Sequence, residues 1–212
     1  ACAEIAISSY RQSFFQPGSH IKIASARSGN VIGGGDWATD RIIPDCVRAC
    51  EAGISAEIRN PYSTRPWQHV LEPLRGYLEL AARISSCSPE KSGTLCTAFN
   101  FGPQLGANRT VKEVVDTLMP ILGGDWHIAE NTPSIHEASR LQLSIDKAHE
   151  LLRWAPAWSF ETAIEQTAHW YRHVCFEKNC PVQATRDTLQ TYLNSLENFY
   201  CIATQKALIQ TL

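Results

Sequence analysis

Side chains that could bind a ligand are concentrated in residues 26–37, where three consecutive glycines occupy positions 33–35. The polar residues around these glycines are Arg27, Ser28, Asn30 and Asp36. Glycine lets a backbone approach a ligand closely or adopt positive φ, and guanidinium and amide groups donate hydrogen bonds to phosphate or sugar oxygens. The combination indicates a binding site, whereas the glycines alone would also fit an ordinary glycine-rich turn.

Two predicted elements flank this loop. An apolar stretch at residues 21–26 comes directly before it and is predicted to form a strand. In open α/β sheets, ligands are held at the carboxyl ends of strands. An amphipathic helix is predicted at residues 41–52, and the free N–H groups of its first turn would favour an anion beside Arg41.

The rest of the chain alternates between apolar stretches typical of strands and amphipathic stretches typical of helices. Further strands are predicted at residues 56–59, 67–70, 95–101 and 126–129. Further helices are predicted from residue 1, at residues 73–84, 110–119, 145–152 and 160–176, and from residue 186 onward. The helix at 110 should begin with a capping box, because Thr110 is followed by Glu113. This alternation predicts an α/β fold with a parallel sheet and a smaller C-terminal lobe.

Composition and charge exclude several classes of function. A net charge of −2 and a pI near 6.4 argue against binding along a nucleic-acid backbone. No apolar run is long enough to span a membrane, and the first residues lack the order of a signal peptide, so a soluble cytoplasmic protein is predicted. The eight cysteines form no Cys-x-x-Cys pair and no zinc-ligand pattern, so we expect mostly free, buried thiols and no metal site.

A feature of many nucleotide-binding proteins is absent from the sequence. A dinucleotide-binding domain should open with a glycine fingerprint after its first strand and carry an acidic residue about 20 positions later. Neither occurs in these 212 residues.

Six segments, in their order and spacing, resemble the extended short-chain dehydrogenases that act on nucleotide sugars, and within that family the CDP-glucose dehydratase subfamily. The segments are residues 27–37, 43–49, 59–61, 64–74, 99–103 and 107–111. The match runs from Ala1 to about Tyr192. The triple glycine followed by Asp36-Trp37, and the run Arg-Pro-Trp-Gln-His from Arg65, resemble the dehydratases more than the epimerases of the same fold.

The resemblance implies that this sequence is the C-terminal portion of such an enzyme. Residues 1–195 would combine the last part of a Rossmann-type parallel sheet with a smaller mixed α/β substrate-binding lobe, and residues 196–212 would form a helical tail. The N-terminal dinucleotide-binding half would be absent, together with a Tyr-x-x-x-Lys pair whose lysine would fall just before Ala1. The complete protein is expected to bind NAD and a nucleotide sugar, CDP-glucose, and to form a homo-oligomer.

The resemblance also assigns roles to individual residues. Arg65 would contact the substrate diphosphate, for which a planar guanidinium is suited. The other residues expected from it to bind substrate are Asn30, Asn108, Arg109, His136 and Arg140. Arg41 is expected to bind substrate for a different reason, its place at the start of a helix. Arg27 and Ser28 would line the nicotinamide end of the cofactor site. Five alternatives remain open from the residues alone: a surface arginine at Arg65, a turn asparagine at Asn30 that bonds its own backbone, a structural ion pair at Arg27, a helix cap at Asn108, and an exposed charged loop around His136.

Three functions are consistent with the family resemblance and with the residues present in this sequence. The first is a portion of a dehydratase that oxidises the sugar at C4 with NAD, eliminates water across C5 and C6, and returns the hydride to C6. Because the residues that transfer protons would lie outside this sequence, the second is a noncatalytic nucleotide-sugar binder. The third is a different nucleotide-sugar epimerase or dehydratase.

Overall fold

The structure of the chain is a computed structural model that describes residues 2–15, 19–104, 106–130 and 142–209. Helices and strands alternate along most of it. The helices are α1 (Cys2–Phe14), α2 (Ile42–Glu51), α3 (Leu71–Ser86), α4 (Val111–Leu122), α5 (Asp146–Leu152), α6 (Phe160–Tyr171) and α7 (Pro181–Ile209). The strands are β1 (Ser25–Ser28), β2 (Val31–Ile32), β3 (Ala56–Ile58), β4 (Thr64–Arg65), β5 (Gln68–His69), β6 (Ala98–Phe101), β7 (Arg109–Thr110) and β8 (Trp126–Ile128).

The strands join in pairs, and the parallel pairing expected from the sequence is present. Strand β1 pairs with β6, β2 with β5, and β3 with β8, all in parallel, whereas β4 and β7 are antiparallel. Within the described residues these are four separate two-stranded units instead of one continuous sheet. The prediction of an α/β fold with parallel strands is therefore confirmed.

The first strand lies later in the chain than its apolar pattern suggested. Residues 21–26 were expected to be extended, but β1 runs from Ser25 to Ser28 because its partner β6 begins only at Ala98. The residues before β6 form a 3₁₀ helix, Pro89–Thr94, followed by a turn in which the N–H groups of Leu95 and Cys96 donate to the carbonyl of Ser92. The partner strand therefore sets the length of β1.

Helix α4 begins with the predicted capping box. The Thr110 hydroxyl accepts from the backbone N–H of Glu113, and the Glu113 carboxylate accepts from the backbone N–H of Thr110. The helix was expected to end at Met119, but it continues to Leu122, where Gly123 follows with a φ of +79°. Leu122 is buried, so the last turn is held by packing even though Pro120 contributes no N–H.

Two apolar clusters form the core. The larger one lies between α2, α4 and α6, and its fully buried members include Val47, Leu118 and Ile164. The smaller one packs β6 against α3 and α5 around Phe99 and Trp154. The loop of residues 33–40, called the glycine loop below, connects β2 to α2 along the edge of the larger cluster.

Helix α7 is continuous across the boundary at residues 195 and 196 that the resemblance suggested. Within α7, Tyr192 is 2% exposed and Ser195 accepts a 2.9 Å hydrogen bond from the indole of Trp158. The division into a body of residues 1–195 and a tail of residues 196–212 stays a prediction. None of the described helices has the length and hydropathy that crossing a membrane requires.

The cysteines whose side chains are described are all free, as expected. The prediction that most of the cysteines are buried was wrong for some of them. Cys46 and Cys175 are buried, but Cys2 and Cys180 are exposed. Cys180 lies just before Pro181, at the start of α7, where its side chain faces solvent.

Candidate functional site

A cavity of about 590 Å³ lies at the carboxyl end of β1, where the sequence placed the site. This volume is in the range that holds small-molecule ligands. Its wall consists of Ser28, Gly29, Asn30, Val31, Ile32, Gly33, Asp36, Asp40, Arg41, Ile42, Ile43, Pro44, Ser63, Arg65, Trp67 and Val111. The cavity is therefore bounded by the glycine loop, the first turn of α2, and the segment around β4.

Arg65 is the buried cation of this wall. It lies on β4, is 8% exposed, and donates from Nη1 to the carbonyl of Thr64 at 2.9 Å. Strand β4 is held against β7, because Arg65 pairs with Arg109 across the β4–β7 ladder and the Trp67 indole donates to the Arg109 carbonyl at 3.0 Å. A guanidinium fixed in this way meets an anion without first losing rotamer freedom.

The first turn of α2 contributes the positive end of a helix. Arg41 is its N-cap residue, with extended φ and ψ of −117° and 133°, and no side chain caps the turn. The first intrahelical bond runs from the N–H of Asp45 to the Arg41 carbonyl. Because residues 41–44 line the cavity, the N–H groups of Ile42 and Ile43 and the helix dipole act at its surface.

Two acidic residues share the wall with these cations. Asp36 lies 3.8 Å from the Arg41 guanidinium, and Asp40 lies 3.2 Å from Arg59. Asp40 also adopts a positive φ of 59°, which makes the sharp bend that leads into α2. The carboxylates can accept hydrogen bonds from hydroxyl groups of a ligand, while the ion pairs keep part of the cationic charge balanced.

Asn30 and Ser28 join the cavity from the end of β1. The Asn30 carbonyl accepts from the N–H of Gln68 at 3.1 Å, so its backbone is fixed beside β5. The Ser28 hydroxyl accepts from the Tyr77 phenol at 3.1 Å. Gly29 between them leaves no room for a side chain, because a Cβ there would be 2.7 Å from Cγ of Pro66.

Not every residue predicted to bind a ligand belongs to the described wall of the cavity. Within the described residues, the cavity wall does not include Arg27, Asn108 or Arg109. Arg27 is 3.6 Å from Glu4 of α1, which is the structural ion pair left open as an alternative. Arg109 is 3.5 Å from Glu113 and its guanidinium lies over a phenyl ring of α6. His136 and Arg140 fall outside the described residues. The binding roles of these five residues, which are Arg27, Asn108, Arg109, His136 and Arg140, stay predictions.

The sequence reasoning did not select several wall residues. Asp40, Ser63 and Val111 line the cavity, although no ligand role was expected of them. Ser63 lies two residues before Arg65 in the same proline-bracketed loop, so that loop could have indicated it. Trp67 was expected to be a scaffold residue, and it is a buried indole that also forms part of the wall.

A buried imidazole lies behind the site. His69 on β5 is 3% exposed, and its Nδ1 accepts the backbone N–H of Leu71 at 3.3 Å. Its ring meets the indole of Trp158 edge-on, with the centroids 4.9 Å apart. Burial lowers the pKa of His69 to about 4, so the ring is neutral at physiological pH.

The residues present do not fit a complete NAD site. Of the two residues expected at the nicotinamide end, Ser28 lines the cavity and Arg27 is engaged by Glu4. The sequence also carries no glycine fingerprint that could hold the pyrophosphate of a dinucleotide. Cofactor binding by Arg27 and Ser28 therefore stays a prediction.

Comparison with known proteins supports the motif-based resemblance. No family model matches the chain. The CDP-glucose 4,6-dehydratase of Salmonella typhimurium is 42% identical over 178 residues, which are 81% of this chain and 48% of that protein. The chain thus spans about half the length of the curated relative that it matches.

Solved structures share the fold at low sequence identity. The dTDP-glucose 4,6-dehydratase DesIV of Streptomyces venezuelae, solved with NAD, has a TM-score of 0.65 and 20% identity over 81% of this chain and 48% of its own. The UDP-glucuronic acid 4-epimerase of Bacillus cereus, solved with UDP-glucuronic acid and NAD, has a TM-score of 0.62 and 17% identity over 81% of this chain and 50% of its own. The resemblance inferred from the motifs is confirmed: the chain is homologous to the C-terminal half of CDP-glucose 4,6-dehydratase and has the fold of the corresponding part of the NAD-dependent nucleotide-sugar epimerases and dehydratases.

Proposed function

We propose that this chain is the substrate-binding part of a CDP-glucose 4,6-dehydratase, and that its cavity holds the pyrophosphate of CDP-glucose. The observation that carries the proposal is the guanidinium of Arg65, 8% exposed and in the wall of a cavity of about 590 Å³. A pyrophosphate presents paired oxygens to which the planar guanidinium of Arg65 can donate parallel hydrogen bonds.

The start of α2 supports the same ligand. Its uncapped first turn and Arg41 form a second positive region in the cavity wall. A helix N-terminus favours phosphate groups through its free N–H groups and its dipole. Two positive regions in one cavity suit a diphosphate better than a monophosphate, and Asn30 adds an amide that can bind a phosphate or sugar oxygen.

The reaction proposed for the complete protein is the conversion of CDP-glucose to CDP-4-dehydro-6-deoxyglucose and water. This conversion combines hydride transfer with loss of water, and bound NAD would supply the hydride chemistry in the complete protein. The part of this chain would be to bind and orient the nucleotide sugar. The resemblance assigns proton transfer to a tyrosine–lysine pair and to acidic residues that this sequence does not contain.

The test is calorimetric titration of the 212-residue chain with CDP, CMP, UDP and dTDP. We expect CDP to bind more tightly than CMP, because only CDP presents two phosphates to Arg65 and α2. We also expect CDP to bind more tightly than UDP or dTDP. A preference for UDP or dTDP would favour another nucleotide-sugar enzyme of the same fold.

Three variants make the test specific to the cavity. Arg65→Lys should weaken CDP binding about 10-fold or more, because charged hydrogen bonds contribute about 1.5–3 kcal/mol. Arg41→Gln should weaken CDP binding less, since the Arg41 side chain is 62% exposed. For the same reason this substitution does not disturb the core. Arg172→Lys changes an arginine outside the cavity wall and is the matched control. Unchanged CDP affinity in both Arg65→Lys and Arg41→Gln would contradict the proposal.

A further inference from the structure

We propose that Trp170 and Tyr171 of α6 are positioning residues for the cavity, acting through the backbone of the glycine loop. Neither residue lines the cavity, but both contact the loop that carries Asp36 into it. This inference rests on the proposed function, in which the loop and Arg41 bind a nucleotide diphosphate.

Trp170 occupies the space that a side chain at position 34 would need. A Cβ added to Gly34 would lie 2.0 Å from Cδ2 and 2.1 Å from Cγ of the Trp170 indole. The loop backbone is therefore packed directly on the face of a ring that is itself 8% exposed. Gly35, which follows with a φ of +88°, still lies against the ring, because a Cβ there would be 3.6 Å from Cη2 of Trp170.

Tyr171 fixes the next part of the loop by a hydrogen bond. Its phenol, on a fully buried residue, donates to the backbone carbonyl of Asp36 at 2.6 Å. The Trp37 ring meets the Tyr171 ring edge-on, with the centroids 5.4 Å apart and the planes at 86°. The Arg48 guanidinium holds the far side of the loop, donating to the carbonyls of Trp37 and Ala38 at 3.2 Å.

These contacts determine where the charged groups of the loop lie. Asp36 faces the cavity and is 3.8 Å from Arg41, so the Asp36 backbone position also affects the Arg41 guanidinium. Trp170 is held in turn by α7, because its indole N–H donates to the Thr185 hydroxyl at 3.0 Å. The cavity loop is thus supported by α6, and α6 by the final helix.

The test removes one hydroxyl and measures the loop in two ways. Tyr171→Phe keeps the ring and its packing but leaves the Asp36 carbonyl without its donor. We expect hydrogen exchange of the backbone amides of residues 34–38 to accelerate about 10-fold in the free chain. We also expect the Kd for CDP to rise about two- to tenfold, the range for loss of one such hydrogen bond.

Tyr192→Phe is the matched control, because it removes another buried phenol, which bonds to Glu72, and neither of these two residues lines the cavity. It should reduce the stability of the chain and leave both CDP affinity and the exchange of residues 34–38 unchanged. If Tyr171→Phe behaves as Tyr192→Phe does, the positioning role is wrong. If the unaltered chain does not bind CDP, the proposed function fails, while the exchange measurement still decides whether Tyr171 holds the loop.

Discussion

The phenol of Tyr192 donates a 2.7 Å hydrogen bond to Oε2 of Glu72, a carboxylate that is 1% exposed and lies 120 positions earlier in the chain. Oε1 of the same carboxylate accepts the backbone N–H groups of Ala157 and Trp158 at 2.9 and 2.8 Å, and Arg75 lies 3.5 Å from Oε2. Burial raises the pKa of Glu72, while these donors and Arg75 oppose the increase. One carboxylate thus joins α3, the segment before α6, and α7.

Removing this phenol should destabilise the chain. In Tyr192→Phe, Glu72 keeps its backbone donors but loses the phenol, and Arg75 loses the hydroxyl that its Nε contacts at 3.0 Å. The free energy of unfolding should fall by about 1–3 kcal/mol, as expected when a buried polar group loses its partner. Urea titration followed by circular dichroism measures this change. Tyr62→Phe is the control, since that residue is 71% exposed; an equal loss in both variants would rule out the role given to Glu72.

His69 should make the chain sensitive to mild acid. Its pKa is about 4 in the folded chain and 6.5 as the ordinary value, so the unfolded state binds the proton more readily. The contribution of neutral His69 to the free energy of unfolding is therefore fully present above pH 6.5. It is lost as the pH falls from 6.5 towards 4, by about 3 kcal/mol in total.

Stability measured by urea titration between pH 7.5 and pH 4 tests this expectation. His69→Phe should be less stable at neutral pH, because the N–H of Leu71 loses its acceptor, but should show a flatter dependence on pH. His127→Asn, which removes an exposed imidazole, should keep the slope of the unaltered chain. A slope unchanged in His69→Phe would show that other groups cause the acid sensitivity.

Gly34 should tolerate no side chain. Gly34→Ala places a methyl group within the indole of Trp170, so the loop or the ring must move, at a cost of about 1–3 kcal/mol. Gly93→Ala is the control, because a Cβ there meets nothing within 4 Å. That variant should be unchanged or more stable by up to about 1 kcal/mol. Thermal unfolding of the two variants compares them directly, and a Gly34→Ala chain as stable as Gly93→Ala would mean that Trp170 does not fill this space.

The cysteines should react with iodoacetamide in a set order. Cys180 is exposed, and the backbone N–H groups of Gln183 and Val182 lower its thiol pKa. Burial raises the pKa of Cys46 to about 12, so it is both inaccessible and protonated. Brief labelling at pH 7 followed by peptide mass spectrometry should find Cys180 modified early and Cys46 unmodified until the chain is unfolded in urea. Early modification of Cys46 would show that the packing around α2 opens readily.

Sequence reasoning selected those residues of the cavity wall whose signals are local, and their binding roles stay predictions. Asn30 and Arg65 were selected from their motifs and Arg41 from its place at a helix start, and all three line one cavity. The support from α6 could not be predicted in this way, because Tyr171 lies 135 positions after Asp36 and reads locally as a core aromatic.

The limits of strand β1 also depend on a distant part of the chain, the strand with which it pairs. β1 was predicted too early, because its apolar pattern does not reveal that β6 begins at Ala98. Arg27 is a second example. An arginine is suited to binding a ligand, but in the structure Arg27 forms an ion pair with Glu4 of α1. The sequence states which side chain stands at each position, but which residue that side chain contacts depends on the three-dimensional fold.

The last helix has a consequence for how this protein can be shortened. Three of its residues, Thr185, Tyr192 and Ser195, each complete the bonding of a group in the body of the chain: the Trp170 indole, the Glu72 carboxylate and the Trp158 indole. Cutting the chain before Pro181 would leave two tryptophans and a carboxylate facing water across a newly opened surface. A shortened chain that is meant to fold therefore has to keep α7 at least as far as Ser195.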